Sequence, residues 1–148
     1  YEDLSAFKIY LVDIGLLGAL SKIDAKTLLE GNQYFTEFKG SLTEQYVLQE
    51  LWSSNHFDPY YWTASKGNAE VDVIFQWKNY PLPLEIKASE NLQAKSLKHY
   101  YQKYKPLIAL RTSLADFRKE DWLINIPLYM LSQLPHILNE QLSLPEKC

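Results

Sequence analysis

The stretch AEVDVIFQWKNYPLPLEIKA, residues 69–88, most constrains what this chain can fold into. Two apolar runs flank the polar pair Lys78 and Asn79, which is typical of two antiparallel strands joined by a tight turn. If these two residues form the turn, Asp72 in the first strand lies directly opposite Glu85 in the second. Facing carboxylates repel each other, so this register requires something that offsets the repulsion.

Two prolines in the second run favour this register. In it, Pro81 and Pro83 fall where a backbone N–H would point away from the partner strand, so the missing donors remove no hydrogen bond from this pair. A one-residue slip would place both prolines where donors are needed. The same register sets Glu70 opposite Lys87, and regular alternation predicts that Glu70 and Lys87 share the face of the two carboxylates.

A facing pair of carboxylates beside a lysine suits a divalent metal ion, Mg²⁺ or Mn²⁺. Such an ion is commonly held by one or two carboxylates, waters and substrate phosphates. A metal on Asp72 and Glu85 would polarise a phosphate, and Lys87 would steer a water or stabilise the developing negative charge. The alternative is a solvated polar patch in which Lys87 pairs with Glu70 or Glu85.

Glu44 is a further candidate, because it lies near the start of a helix predicted for SLTEQYVLQELWSS, from Ser41. Apolar residues recur there at helical spacing, and one stripe contains Leu42, Tyr46 and Trp52. This helix is expected to pack on the sheet and bring Glu44 towards the hairpin. The competing interpretation is a capping box, in which Glu44 reaches back to the Ser41 N–H.

The order of the remaining elements predicts an α/β fold, with an antiparallel meander that feeds a crossover to a parallel strand. Strands are predicted at residues 59–64, 69–77, 81–88, 107–113 and 124–131, and helices at 91–105 and near 134–142. Ahead of the Ser41 helix we predict a strand at Lys8–Val12, a helical turn capped by Asp13, a short helix at Asp24–Glu30 and a loop at 31–40.

Composition places the chain among ordinary globular domains. Its 148 residues favour a single domain, and its net charge of −3 shows no global attraction to nucleic acid or anionic lipid. The single cysteine, Cys148, excludes an internal disulfide and a cysteine-based zinc site, and fits a reducing cytoplasm. No apolar run approaches the roughly 20 residues that span a bilayer, so we expect no membrane partner, and the cysteine usage leads us to expect a cytoplasmic protein.

The candidate residues together resemble the PD-(D/E)xK phosphodiesterase superfamily, which includes restriction endonucleases and Holliday-junction resolvases. The resemblance is carried by Glu44 on a first helix, Asp72 on a second strand and Glu85-Ile86-Lys87 on a third. It implies a restriction-endonuclease-like mixed sheet with an α-β-β-β-α-β core. It also implies that Asp72, Glu85 and the Ile86 carbonyl ligate the metal, that Lys87 positions the nucleophilic water, and that Glu44 completes the site directly or through a water.

One departure from the superfamily pattern is visible, since position 71 is Val where the superfamily's name has Pro. A closer resemblance covers nearly the whole chain and points to a domain of unknown function that typically follows the ATPase core of prokaryotic AAA+-type ATPases. It is carried by KIYLVDIGLLGAL, GSLTEQYVLQEL, YYWTASKGNAEVDVIF, PLEIKAS, KSLKHYYQKYKP and IPLYML.

This second resemblance implies that the chain, which begins without Met, is a fragment of a longer ATPase. Residues 1–148 would then form one domain, with 1–39 as an N-terminal extension and 40–148 as the core. The five glycines open no P-loop, so ATP would bind only in the upstream ATPase domain, which is the expected partner.

Contacts to a nucleic-acid substrate are predicted from lysines. Lys95 and Lys98 lie on the face of the 91–105 helix opposite its tyrosines, where they would contact phosphates or simply face solvent. Lys66 lies in the turn of the first predicted hairpin, where it could approach a nucleic-acid backbone.

Two functional classes follow from these residues. The first is a nuclease-like module that hydrolyses phosphodiesters or processes nucleic acid under the control of an attached ATPase. The second is a catalytically inactive domain that serves interaction or oligomerisation. The acidic net charge weighs against the first class, because nucleic-acid-binding domains usually present a basic face. The charged hairpin weighs against the second, because buried charge is costly.

Overall fold

The computed structural model describes residues 7–22, 33–64, 69–89 and 93–142 of the chain. In these residues it is an α/β protein, with one mixed sheet whose six strands lie in the order β1-β2-β3-β4-β6-β5. The elements are α1 (Ile14–Leu20), α2 (Gln33–Ser53), β1 (Tyr60–Thr63), β2 (Glu70–Trp77), β3 (Tyr80–Ile86), α3 (Lys95–Tyr104), β4 (Ala109–Ser113), β5 (Arg118–Lys119), β6 (Leu123–Pro127), a 3₁₀ helix (Leu128–Gln133) and α4 (Leu134–Gln141).

The β2–β3 hairpin has the predicted register. Its antiparallel pairs run from Trp77 opposite Tyr80 to Val73 opposite Leu84, which is the predicted register, and the pairing ends one position short of Asp72 and Glu85. Lys78 takes the positive φ of 54° that a tight two-residue turn requires. The register predicted from the turn residues and the prolines is therefore confirmed from Trp77 to Val73.

The predicted crossover to a parallel strand is also confirmed. β3 pairs in parallel with β4, from Leu84 opposite Leu110 to Ile86 opposite Thr112, and α3 makes the connection between them. α3 ends at Lys105, which has a left-handed φ of 47° and precedes Pro106, a residue that cannot continue a helix. β6 then adds in parallel to the other edge of β4.

Apolar side chains cover both faces of the sheet. On one face, α2 packs against the hairpin and β4, with Leu51, Phe75 and Leu84 fully buried. On the other face, α3 supplies Leu97 and Tyr100 to a smaller cluster. The sheet is thus a central layer between helices, and its hairpin end carries the charged residues of interest.

A β-bulge interrupts β2 beside Asp72. Tyr60 pairs with Ile74 and Trp62 pairs with Val71, so a step of two residues on β1 meets a step of three on β2. One extra residue must therefore lie between Val71 and Ile74, and bulges of this kind re-aim side chains.

The bulge breaks the regular alternation of side chains along β2. Val71 packs with Leu97 on the α3 face, whereas Val73 packs in the cluster on the α2 face. The regular alternation from which we expected Glu70 to share the face of Asp72 therefore does not hold across this stretch of β2. Spacing along the sequence could not reveal the extra residue, since nothing in it marks a bulge.

Helix α2 begins earlier than the sequence pattern indicates. It starts at Gln33, so the loop predicted for 31–40 is wrong for residues 33–40, and the helix continues across residue 39, where we placed the end of the extension. Gly40 does not end the helix, because one exposed glycine costs only about 1 kcal/mol, which tertiary packing can outweigh. Ser41 is consequently an interior residue, and the capping-box interpretation of Glu44 is wrong.

Three further predictions differ from the structure. Lys8–Val12 forms no strand, because the Gln45 side chain satisfies the backbone of Leu11. The strand predicted at 124–131 stops at Pro127, and its last four residues enter a 3₁₀ helix. Trp52 is 45% exposed, since the buried face of α2 is centred on Val47 and Leu51.

Other expectations have simpler outcomes. Asp13 caps α1 as predicted, since its carboxylate accepts a hydrogen bond of 2.8 Å from the Leu16 N–H. The two-residue strand β5 has no counterpart in the prediction. The short helix predicted at Asp24–Glu30 lies outside the described residues. None of the helices in the described part of the chain has the length and apolar character needed to cross a membrane.

The early start of α2 can be tested at Gly40 and Ser41. Nothing lies within 4 Å of the position that a Gly40 side chain would occupy, so Gly40→Ala should raise the free energy of unfolding by about 0.5–1 kcal/mol. As an interior residue, Ser41 should tolerate Ala within about 0.5 kcal/mol. Denaturant titrations measure both changes. A loss of about 1 kcal/mol in Ser41→Ala would instead indicate that Ser41 caps the helix.

Candidate functional site

Asp72 and Glu85 meet where β2 and β3 run together. The Ile86 N–H donates a hydrogen bond of 2.7 Å to Asp72 Oδ2, so a carboxylate from β2 reaches across to the backbone of β3. Glu85 is only 7% exposed, and its Oε1 lies 2.7 Å from Lys87 Nζ. Its other oxygen, Oε2, is buried and accepts no hydrogen bond from any residue that the structure describes.

Arg111 is a neighbour of Glu85 that sequence reasoning missed. It is cross-strand to Glu85 in the β3–β4 ladder, it is buried, and its Nε donates to Asn125 Oδ1 at 2.9 Å. The signal was present, because an arginine in the apolar run LIALRTS is as unusual as Glu85 in its own strand. Glu85 therefore has Lys87 as its ion-pair partner and the positive charge of Arg111 on the neighbouring strand.

Asp72 is the carboxylate with the least compensation. Burial raises its pKa from 3.8 to about 6, the Ile86 N–H opposes this shift, and the negative charges of Glu85 and Glu44 add to it. Among the described residues, no cation lies within ion-pair distance of Asp72. The pKa of Asp72 is therefore higher in the folded protein than in the unfolded chain.

Glu44 lies in the interior of α2 and receives two donors from the start of the chain. Lys8 Nζ is 3.1 Å from Glu44 Oε1, and the Tyr10 hydroxyl donates to the same oxygen. Burial and the charge and hydrogen bond of Glu44 raise the pKa of the Tyr10 phenol, so it remains a donor. Glu44, which we proposed from the sequence, lies close enough to Asp72 for its negative charge to raise the pKa of Asp72. Its Oε1 already accepts hydrogen bonds from Lys8 and Tyr10.

Lys8 links this part of the site to β2, and its position in the site was not expected from the sequence. Its ammonium group forms an ion pair with Glu70 as well as with Glu44, and it lies 5.5 Å from the centre of the Tyr61 ring. Glu70 therefore pairs with Lys8 in the structure. In the sequence Lys8 is merely the first residue of an apolar run, and nothing marks it as a partner of residues far along the chain.

The four acidic residues form what we call the carboxylate cluster, composed of Glu44, Glu70, Asp72 and Glu85. Within the described part of the chain, no three His, Cys, Asp or Glu side chains come together in an arrangement that could hold a metal ion. The donor chemistry nevertheless fits Mg²⁺ or Mn²⁺, because these ions accept one or two protein carboxylates and keep several waters. Asp72 and the unpartnered oxygen of Glu85 would be those two ligands.

For the remaining predicted residues, Lys95, Lys98, Lys66 and the Ile86 carbonyl, the structure describes no contact with Asp72 or Glu85. The side chains of Lys95 and Lys98 are exposed on α3, as either a phosphate contact or a solvated face would require. Lys66 lies outside the described residues. The role proposed for the Ile86 carbonyl as a metal ligand stays a prediction, and what the structure describes is the Ile86 N–H bound to Asp72.

The raised pKa of Asp72 predicts how stability depends on pH. Because the native state binds this proton more tightly, the carboxyl lowers stability as pH rises from 3.8 to about 6, by about 2–3 kcal/mol in total. Asp72→Asn keeps an oxygen for the Ile86 N–H and removes the charge. It should therefore unfold at higher denaturant than wild type at pH 7.5, with little difference at pH 4.

The exposed Asp121 provides the control for this pair of titrations. Asp121→Asn should leave the difference between the two pH values unchanged. Equal stability of wild type and Asp72→Asn at both pH values would show that the native environment of Asp72 does not disfavour its charge.

Comparison with known proteins gives one match. Residues 39–131, more than half of the chain, match a family described as a domain of unknown function, DUF4143. No curated protein and no solved structure matches the chain significantly. The matched range contains α2 from residue 39 onwards, the hairpin and β4, and hence every member of the carboxylate cluster. The chain therefore belongs to the DUF4143 family of domains of unknown function.

Proposed function

We propose that this domain is a metal-dependent phosphodiesterase module of the PD-(D/E)xK type, which hydrolyses or processes nucleic acid. It would act as the C-terminal part of a longer protein whose upstream AAA+-type ATPase domain binds ATP. The order α2-β1-β2-β3-α3-β4 supports a restriction-endonuclease-like core, because it follows the α-β-β-β-α-β arrangement of that superfamily.

The observation that carries the proposal is the buried Glu85 Oε2 beside Asp72. A buried carboxylate oxygen without a hydrogen bond is costly, and such groups in native proteins call for an explanation. A divalent cation shared with Asp72 would satisfy that oxygen and offset the repulsion between the two carboxylates. Lys87 already satisfies the other oxygen of Glu85, so it would remain beside the bound ion.

The chain's own residues suit phosphodiester hydrolysis. When bound, Mg²⁺ or Mn²⁺ would supply Lewis acidity at a phosphate oxygen. Asp72 and Glu85 would hold the ion, and Lys87 would orient the attacking water and donate to the negative charge that develops on the phosphate. Glu44 would complete the site, and the exposed Lys95 and Lys98 would contact the backbone of the nucleic acid.

A second candidate function is a catalytically inactive interaction domain, and one observation favours it. Apolar side chains are exposed along the first described residues, since Ile9 is 79% and Val12 is 80% exposed and α1 buries none of its side chains. Exposed apolar residues close together commonly mark a contact surface. In this function, the carboxylate cluster would only anchor the start of the chain through Lys8.

Metal binding separates the two candidates. Isothermal titration calorimetry with Mn²⁺ should detect binding to the wild type, and Asp72→Asn and Glu85→Gln should each weaken it at least about tenfold. Asp121→Asn and Glu140→Gln, at exposed positions, should bind as the wild type does. Absence of binding to the wild type, or binding that both site variants retain, would rule out this metal site.

Hydrolysis is a separate prediction. The chain, and the longer protein that carries it, should convert single-stranded, duplex or branched DNA into shorter products in the presence of Mn²⁺, with ATP added for the longer protein. Lys87→Met should lower the cleavage rate about 100-fold or more, because it removes the donor to the developing charge. Cleavage that persists in Lys87→Met would have to come from another site or from a contaminating nuclease.

A further inference from the structure

The start of the described chain crosses the carboxylate cluster and places a cation in it. We call residues 7–13 the N-terminal segment. Its Lys8 ammonium lies between Glu44 on α2 and Glu70 on β2, with the Tyr61 ring beside it, and the side chain is 25% exposed. Burial disfavours this charge, but the hydrogen bonds and negative charges of the two glutamates outweigh burial and raise the pKa of Lys8. The ammonium is therefore held charged within the site.

The segment is held in place by two glutamines of α2, and these contacts are independent of charge. The buried Gln45 side chain forms two hydrogen bonds with the backbone of Leu11, accepting from its N–H at 2.9 Å and donating to its carbonyl at 2.7 Å. Gln49 accepts from the Ile14 N–H at 2.9 Å. The Gln45 amide thus bonds both the N–H and the carbonyl of Leu11, as the backbone of a neighbouring β-strand would. These two bonds fix the position of the segment along α2.

An open pocket of about 280 Å³ lies beside Lys8, Tyr10 and Glu44. An ion with six waters occupies roughly 180 Å³, at about 30 Å³ for each water. The pocket is therefore large enough for a hydrated divalent cation next to Glu44, and its lining includes neither Asp72 nor Glu85. The ion would approach the same carboxylate that now receives Lys8 and Tyr10.

We propose that the N-terminal segment regulates the carboxylate cluster, with Lys8 as a tethered counter-ion that competes with a divalent cation for Glu44 and Glu70. This inference rests on the proposed function, since it describes control of the same metal site. Seated, the segment keeps Glu44 away from the metal. Released, it leaves Glu44 free to join Asp72 and Glu85.

The competition must act in both directions. If a seated Lys8 weakens metal binding, a bound metal weakens the seating of the segment by the same factor, because the two equilibria are linked. Anything that holds the segment on α2 would lower the metal affinity, and anything that draws it away would raise that affinity. The glutamine contacts are therefore predicted to control the metal affinity although they touch no carboxylate.

The first test compares Mn²⁺ affinities by calorimetry. Lys8→Met removes the counter-ion and should bind Mn²⁺ about tenfold more tightly than the wild type, whereas Lys8→Arg keeps a cation in place and should remain near the wild-type value. Equal affinities of wild type and Lys8→Met would overturn this inference and leave the proposed function intact. Absence of binding to both proteins would overturn the two together.

The second test changes no charge. Gln45→Ala removes both hydrogen bonds at Leu11, and the milder Gln49→Ala removes the bond at Ile14. Each should strengthen Mn²⁺ binding, by about fivefold for Gln45→Ala and less for Gln49→Ala, and Gln49→Ala covers the case in which Gln45→Ala fails to fold. Unchanged affinity in the folded variants would show that Lys8 acts only as a charge and that the segment does not regulate the site.

Hydrogen exchange provides a readout that needs neither activity nor a mutation. Saturating Mg²⁺ should speed exchange of the Leu11 and Ile14 amides about fivefold, since both donate to the glutamines of α2 only while the segment is seated. Amides in β3, such as that of Leu84, should not change. Slower exchange at Leu11 with Mg²⁺ would mean that the metal and the segment bind together, which contradicts the proposal.

Discussion

The antiparallel pairing of β2 with β3 is the contact on which the rest of the structure depends. The turn at Lys78 fixes which residues face each other, and Pro81 and Pro83 allow only the register in which no donor is lost. β4 pairs with β3 only from Leu84 onwards, beyond the second proline, where the strand can again offer its N–H groups. One hairpin thus sets the geometry of the site and the point at which the parallel part of the sheet begins.

Local signals account for what the sequence could predict, and tertiary contacts account for what it could not. The hairpin, α3 and the parallel pairing of β4 follow from turn residues, prolines and apolar spacing within short windows. The N-terminal segment was misassigned because an apolar run looks like a strand until the Gln45 side chain is known to satisfy its backbone. Lys8 was missed because its partners Glu44 and Glu70 are distant in the sequence, and the bulge beside Asp72 was missed because nothing in the local sequence marks it.

Positive charge is distributed unevenly over the carboxylate cluster. Lys8 forms ion pairs with Glu44 and Glu70. Lys87 forms an ion pair with Glu85, and Arg111 lies cross-strand to Glu85 on β4. Asp72 accepts a hydrogen bond from the Ile86 N–H and has no cation within ion-pair distance among the described residues, and burial beside other carboxylates makes its charge unfavourable. A scaffold selected for stability alone would be better served by an uncharged side chain at this position, so the cost at Asp72 favours a role in binding a cation.

The two functional candidates meet in the N-terminal segment. The same residues that expose Ile9 and Val12 also carry Lys8 into the cluster, on a stretch that Gln45 holds by two hydrogen bonds. A protein surface that bound those apolar side chains would compete with α2 for the segment and would draw the ammonium out of the site. Because removing one cation leaves Glu44 and Glu70 uncompensated, the affinity for a divalent ion would rise as the partner bound. Partner binding and metal binding would then favour each other, and both would be opposed by Lys8 seated between Glu44 and Glu70.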